Sequence, residues 1–216
     1  LENKAKNKRA LRERLLLQDV EKPIVAYIGR LDEQKGVHLV HHAIYRSLFK
    51  NAQFVLLGSA TEPGIGAWFA HEKRYLNDNP DVHIELGFNE ELSHLIYAGA
   101  DILVVPSHYE PCGLTQMIGL KYGTVPVVRG VGGLVDTVFD RDYDTHKLPE
   151  QRNGYVFYHT DHAALESALD RAIDLWYTAP DQFRQLQIQG MSYDYSWNYP
   201  GKEYLEIYDQ IRHRWS

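Results

Sequence analysis

Two short stretches of the 216-residue chain concentrate groups able to do chemistry. In Gly29-Arg30-Leu31-Asp32-Glu33-Gln34-Lys35-Gly36, two cations, Arg30 and Lys35, follow an apolar run on a loop that enters a helix at Gly36. Cations beside the unsatisfied N–H groups of a helix start suit a diphosphate. The same spacing also allows Asp32 and Glu33 to pair with these cations in a plain solvated loop, and both readings stand. In Glu110-Pro-Cys-Gly-Leu-Thr-Gln116, a carboxylate stands one turn ahead of a helix that opens at Gly113 or Leu114. The helix start offers N–H groups to an anion, Thr115 adds a hydroxyl, and Glu110 is an acceptor suited to sugar hydroxyls. Here the competing reading is a capping or ion-paired carboxylate. Cys112 has no histidine in an obvious partner position, so it reads as a small apolar residue rather than a nucleophile.

Other groups exclude more than they propose. No Walker sequence is present, and neither Gly64-Ile65-Gly66 nor Gly130-Val131-Gly132-Gly133 completes G-x-G-x-x-G after a strand, which argues against P-loop and hydride-transfer chemistry. His38, His41 and His42 have ligand-like spacing without the glutamate of H-E-x-x-H, so a helix face against a sheet is expected and a metal site is not. Asp140, Asp142 and Asp144 alternate as in a calcium loop, but Thr145 and Gln151 occupy its glycine and terminal glutamate positions. A solvated acidic loop is expected there. Tyr97 reads as a core aromatic. A formal net charge of −6 with interspersed signs argues against nucleic acid as a partner. No apolar run approaches a membrane span, and one cysteine excludes an intrachain disulfide framework.

The elements that must position these groups follow from hydrophobic pattern. Six apolar runs, PIVAYI (23–28), QFVLLG (53–58), VHIELG (82–87), DILVVPS (101–107), VPVV (125–128) and YVFY (155–158), lack clean polar alternation, as strands covered on both faces do. Helix-like stretches lie between them. The pattern predicts an α/β fold, a Rossmann-like parallel sheet of about six strands with helices on both faces. Ligands of such sheets sit beyond the carboxyl ends of the strands, where both chemical stretches fall. Residues 160–216 predict a helical tail that packs on its own sheet or reaches across to a partner domain. Residues 1–20 predict a leading helix carrying Leu11, Leu15 and Leu16. The start, without an initiator Met or a signal-peptide pattern, reads as cut into a longer protein.

Taken together, GRLDEQKG, EPCGLTQMIGLKYGTVPVVRGVGGLVDTV, RNGYVF and YDYSWNYPGKEYLEIY resemble the C-terminal domain of starch and bacterial glycogen synthases, from about Asn3 to the end. The resemblance implies a single domain over 1–216, the C-terminal half of a GT-B fold, with the N-terminal acceptor domain absent. It implies a retaining glucosyltransferase that moves glucose from ADP-glucose to the non-reducing end of an α-1,4-glucan, in the bacterial cytoplasm or plastid stroma. By position, the diphosphate-binding pair falls on Arg30 and Lys35, and the glutamate that meets the glucosyl hydroxyls on Glu110. Backbone contacts to sugar and phosphates fall on Cys112, Gly113, Leu114 and Thr115, and the ring stacking on adenine on Phe88. ADP-glucose is then a substrate, and neither a metal nor another cofactor is expected.

Two departures from the family pattern stand out. Ile118 occupies the place of the second glutamate found in many related transferases, which favours the synthase branch. Gly130 and Val131 replace the usual Lys and Thr of KTGGL, removing any contact from those side chains. A module that kept the fold but works without catalysis, binding nucleotide sugar or glucan, is the rival expectation; a UDP-sugar transferase would differ in base preference.

Overall fold

A computed structural model describes residues 2–198 and 200–214. Six strands, β1 (Ile24–Leu31), β2 (Gln53–Ala60), β3 (Val82–Leu86), β4 (Ile102–Val105), β5 (Val125–Arg129) and β6 (Tyr155–Phe157), form one parallel sheet in the order β3-β2-β1-β4-β5-β6. The expected fold class is what the chain adopts. Alternate side chains along each strand enter different cores. Val25, Tyr27, Phe54, Leu56, Ile102 and Val104 pack with α2 (Val37–Phe49), α3 (Pro63–Leu76) and α7 (His162–Thr178). Ile24, Ala26, Val55, Leu57, Leu103 and Val105 pack on the opposite face, with α1 (Glu2–Leu15), α4 (Glu90–Gly99) and α6 (Gly133–Thr137). Period-two alternation with both faces apolar explains why the runs show no polar alternation.

Sheet order makes the carboxyl ends of β1 and β4 the switch point. β1 leads into α2 on one face, and β4 leads through a long turn into α5 (Thr115–Lys121), whose Gly119 abuts Leu103 on the other. A crevice opens between two such neighbouring strands.

The leading helix is part of the core. Leu11 of α1 is fully buried, and Lys8 pairs with Asp101 at 2.8 Å at the entrance to β4. Lys4 Nζ donates to Thr124 Oγ1 at 2.9 Å and to the carbonyls of Tyr97, Ala98 and Tyr122, and its burial lowers its pKa to about 8. In the tail, Leu165, Leu169 and Ile173 of α7 and Phe183 and Leu186 of α8 (Pro180–Ser192) are buried. By contrast α9 (Pro200–Arg214) leaves Tyr204, Leu205, Ile207, Tyr208 and Ile211 exposed.

Asp140 corrects the expectation of a solvated acidic loop. It is buried, accepts the N–H groups of Asp142, Tyr143 and Val156 at 2.9, 3.0 and 2.7 Å, and receives both ends of the Arg171 guanidinium at 2.9 and 3.0 Å. Burial opposes ionisation, but the Arg171 and backbone hydrogen bonds prevail and hold the carboxyl below its usual range. Asp140→Ala should therefore cost about 3 kcal/mol in denaturant unfolding, since it removes the buried partner of Arg171 and leaves that guanidinium only its pairing with Asp142 at 2.8 Å. Because the folded pKa is depressed, the stabilisation is complete above the unfolded value of about 3.9 and is lost as pH falls through the folded one. A stability–pH profile that is the same for wild type and Asp140→Asn below pH 5 would contradict this.

Candidate active site

At the end of β1 the chain does not leave the sheet where its apolar run stops. Gly29, Arg30 and Leu31 continue in register with Gly58, Ser59 and Ala60, so Arg30 lies on the strand and not on the following loop. Tyr27 fixes this end by donating its hydroxyl to the Arg30 carbonyl, and burial pushes that hydroxyl far above its usual pKa, keeping it a donor.

Asp32 then turns the chain. Its carboxylate accepts the Lys35 N–H at 2.9 Å, capping a single 3-10 turn (Glu33–Lys35), and pairs with Arg30 Nη1 at 3.0 Å. The turn ends on Gly36 with φ +72°, where a Cβ would stand 2.3 Å from the Pro106 carbonyl oxygen. Only glycine permits both that torsion and that approach. Of the two cations of GRLDEQKG, Arg30 pairs locally with Asp32, whereas Lys35 is aimed away from its own loop.

Lys35 reaches Glu110. Its Nζ lies 2.5 Å from Glu110 Oε2, joining the loop after β1 to the turn after β4 across the switch point. The same oxygen accepts from Ser107 Oγ at 3.0 Å. The turn itself is gripped from four sides. His108 N–H donates to the Gln34 carbonyl at 2.8 Å, and Gln34 Nε2 to the Tyr109 carbonyl at 3.2 Å. Arg129, at the end of β5, donates to the carbonyls of His108 at 2.8 Å and Tyr158 at 3.1 Å. The Gly133 N–H donates to the Glu110 carbonyl at 3.0 Å, and Gln116 Nε2 to the Cys112 carbonyl at 3.3 Å and to Thr137 Oγ1 at 3.0 Å. Glu110 is 7 % exposed.

The remaining expected site residues divide. Cys112 and Leu114 are exposed beside this turn, Gly113 adopts φ +75°, and Thr115 begins α5, which has Leu114 rather than Gly113 as its cap. Tyr97 is buried as expected; burial pushes its hydroxyl up, with the Thr115 hydroxyl bound to it pulling the other way. Phe88 is 89 % exposed just past β3, so it is not a core aromatic. It shares the carboxyl edge of the sheet with the Lys35–Glu110 pair. At Gly130 an added Cβ would stand 2.5 Å from the ring of the exposed Tyr158, which would have to swing aside for a longer side chain. His41 and His42 face Glu72 and Glu166 at 3.4 and 2.7 Å, and among the described residues no cluster of three or more metal-ligating side chains is found. Ser107 and Arg129 were not marked by local pattern; their places just past the apolar runs of β4 and β5 were the available signal.

A cation and a carboxylate brought together at the switch point, on loops shaped by glycine, define a doubly wound α/β domain with a charged crevice beyond the carboxyl ends of its strands. The chain belongs to the family described as glycosyl transferases group 1, which it matches over residues 8–186. It is 95 % identical over 214 residues to glycogen synthase 1 of Synechococcus sp. (strain JA-3-3Ab), covering 99 % of this chain and 44 % of that protein. Glycogen synthase 1 of Trichormus variabilis is 77 % identical over the same share of each. The catalytic domain of starch synthase IV from Arabidopsis thaliana, bound to ADP and acarbose, matches with a TM-score of 0.92 at 42 % identity, over 96 % of this chain and 42 % of that one. The resemblance read from EPCGLTQ and its neighbours thus holds across the domain, and the chain spans less than half the length of these relatives. Among the described residues no helix is long and apolar enough to cross a membrane.

Proposed function

We propose that this chain is the donor-binding domain of a glycogen or starch synthase, a hexosyltransferase that moves glucose from ADP-glucose to the non-reducing end of an α-1,4-glucan with retention of configuration. The observation that carries this reading is the contact of Lys35 with Glu110, which brings a phosphate-seeking cation and a sugar-seeking carboxylate to one point of the β1/β4 crevice. The acceptor is then held chiefly by a domain outside this chain, and the isolated chain is weak or inactive. The relatives support a compartment such as the bacterial cytoplasm or plastid stroma.

In this reading Arg30 and Lys35 meet the diphosphate, the backbone of Cys112, Gly113, Leu114 and Thr115 meets sugar and phosphate, and Phe88 stacks on the adenine. Breaking the bond between glucose C1 and the phosphate oxygen leaves positive charge on the sugar and negative charge on ADP. The two cations stabilise that leaving group as its charge develops. The acceptor hydroxyl forms the new bond to C1 on the face from which ADP departs, and its proton passes to the departing phosphate. A glycoside hydrolase would need two carboxylates flanking the bond, whereas Glu110 stands with Lys35 and Ser107 around it. No metal or other cofactor is assigned a role.

Calorimetric titration of the full-length protein and of this chain with ADP and with UDP tests the reading. Saturable ADP binding at least about tenfold tighter than UDP, a gap of about 1.4 kcal/mol, is expected. Equal or tighter UDP binding would redirect the site to UDP-sugars, and no binding of either by the full-length protein would favour the non-catalytic rival.

A further inference from the structure

Glu110 presents its two oxygens unequally. Oε2 accepts from both Lys35 Nζ, at 2.5 Å, and Ser107 Oγ, at 3.0 Å, while no donor among the described residues reaches Oε1. Ser107 is 1 % exposed and is itself held, its carbonyl accepting from Arg129 Nη1 at 3.4 Å. It follows Pro106, whose carbonyl oxygen lies against Gly36. Among the described residues the hydroxyl of this enclosed serine has one partner, the carboxylate three residues on.

We propose that Ser107 is a positioning residue for the transfer reaction: its hydroxyl, with Lys35, fixes Oε2 so that Oε1 is the one oxygen Glu110 turns toward a glucosyl hydroxyl. This rests on the donor-domain reading above. Lys35 alone could not fix the carboxylate, because a long flexible ammonium side chain and a glutamate can swing together while keeping their contact. The short hydroxyl of a buried serine anchored through its backbone has no such freedom. Orientation errors of about 1 Å at a reacting centre cost on the order of 100-fold in rate. Losing this hydroxyl should therefore lower kcat more than it raises the KM for donor.

The test uses the full-length protein and ADP-glucose. Ser107→Ala removes one oxygen and adds no bulk; kcat is expected to fall roughly 10- to 100-fold, with KM for ADP-glucose changed less than about threefold. In the Glu110→Ala background the same substitution should cost less than about twofold, since the two residues act as one unit. Where that background is too slow to measure, ADP-sugars lacking single glucosyl hydroxyls decide. With the analogue that lacks the hydroxyl bound by Oε1, wild type and Ser107→Ala should react at nearly equal rates. Unchanged kcat for Ser107→Ala, or the same loss in both backgrounds and with every analogue, would overturn the role of Ser107. A wild-type protein that transfers no glucose from ADP-glucose would instead overturn the donor-domain reading.

Discussion

Glu110→Ala in the full-length protein is expected to lower kcat by roughly 1,000-fold while leaving the fold intact. The magnitude follows from removing a preorganised polar group at the reacting sugar, which in enzymes costs about 100- to 1,000-fold, compounded by freeing Lys35, which shares the site. Structural loss should be modest. Deleting the carboxylate leaves Lys35 and Ser107 each short of one partner, about 1–3 kcal/mol, and the Lys35 side chain keeps enough exposure for water to replace the carboxylate. Glu110→Gln separates shape from charge, because its amide occupies the same space but cannot pair ionically with Lys35. Steady-state kinetics beside thermal unfolding checks the pair of expectations. Near-normal turnover in Glu110→Ala would remove the residue from the mechanism, and a collapse of the melting transition would make it a structural group.

Gly132→Ala should damage stability and activity together. At φ +51° and ψ −137° the backbone is one that side chains rarely adopt, and an added Cβ would stand 2.1 Å from the Glu110 carbonyl oxygen. Neither partner can yield cheaply, because the clash is with backbone and the neighbouring Gly133 N–H is bonded to that same oxygen. A cost of about 3 kcal/mol is expected from strain and displacement. For a chain of this size that is about 6–12 °C in Tm. The displaced atoms belong to Glu110 itself, so turnover should fall at temperatures where the variant is fully folded. Gly64→Ala is the control: nothing lies within 4 Å of its Cβ position, at the start of α3, and the exchange should be neutral or slightly stabilising. Equal melting temperatures for the two variants would refute the steric argument.

What could be read from sequence, and what could not, divides by the range of the interactions. The strands were legible because two-faced burial writes itself as uninterrupted apolar runs. The end of β1 was not, since Gly29 and Arg30 stay in the sheet through backbone pairing with Gly58 and Ser59, to which side-chain hydrophobicity gives no clue. Arg30, Lys35 and Glu110 could be proposed from local motifs and a family likeness. That Lys35 meets Glu110 was invisible, because the contact spans 75 positions. Asp140 looked solvated for the same reason: its neutralising partner Arg171 lies 31 residues away and arrives on another element. Ser107, Arg129 and Gly132 have no chemical signature of their own, and each matters only through the atom it touches.

Strand order also bears on how the polypeptide assembles as it is synthesised. β1, β2 and β3 build outward in one direction, and the chain then returns to the vacant side of β1. Until Ile102–Val105 emerges, one flank of β1 is an open ribbon of unpaired amides and carbonyls, the kind of edge that recruits other chains. β4 closes it. Glu110 follows only a few residues later, so Lys35 acquires its partner as soon as that nascent seam is sealed. The seam that guards the growing chain from aggregation is thus the one across which the donor would be held.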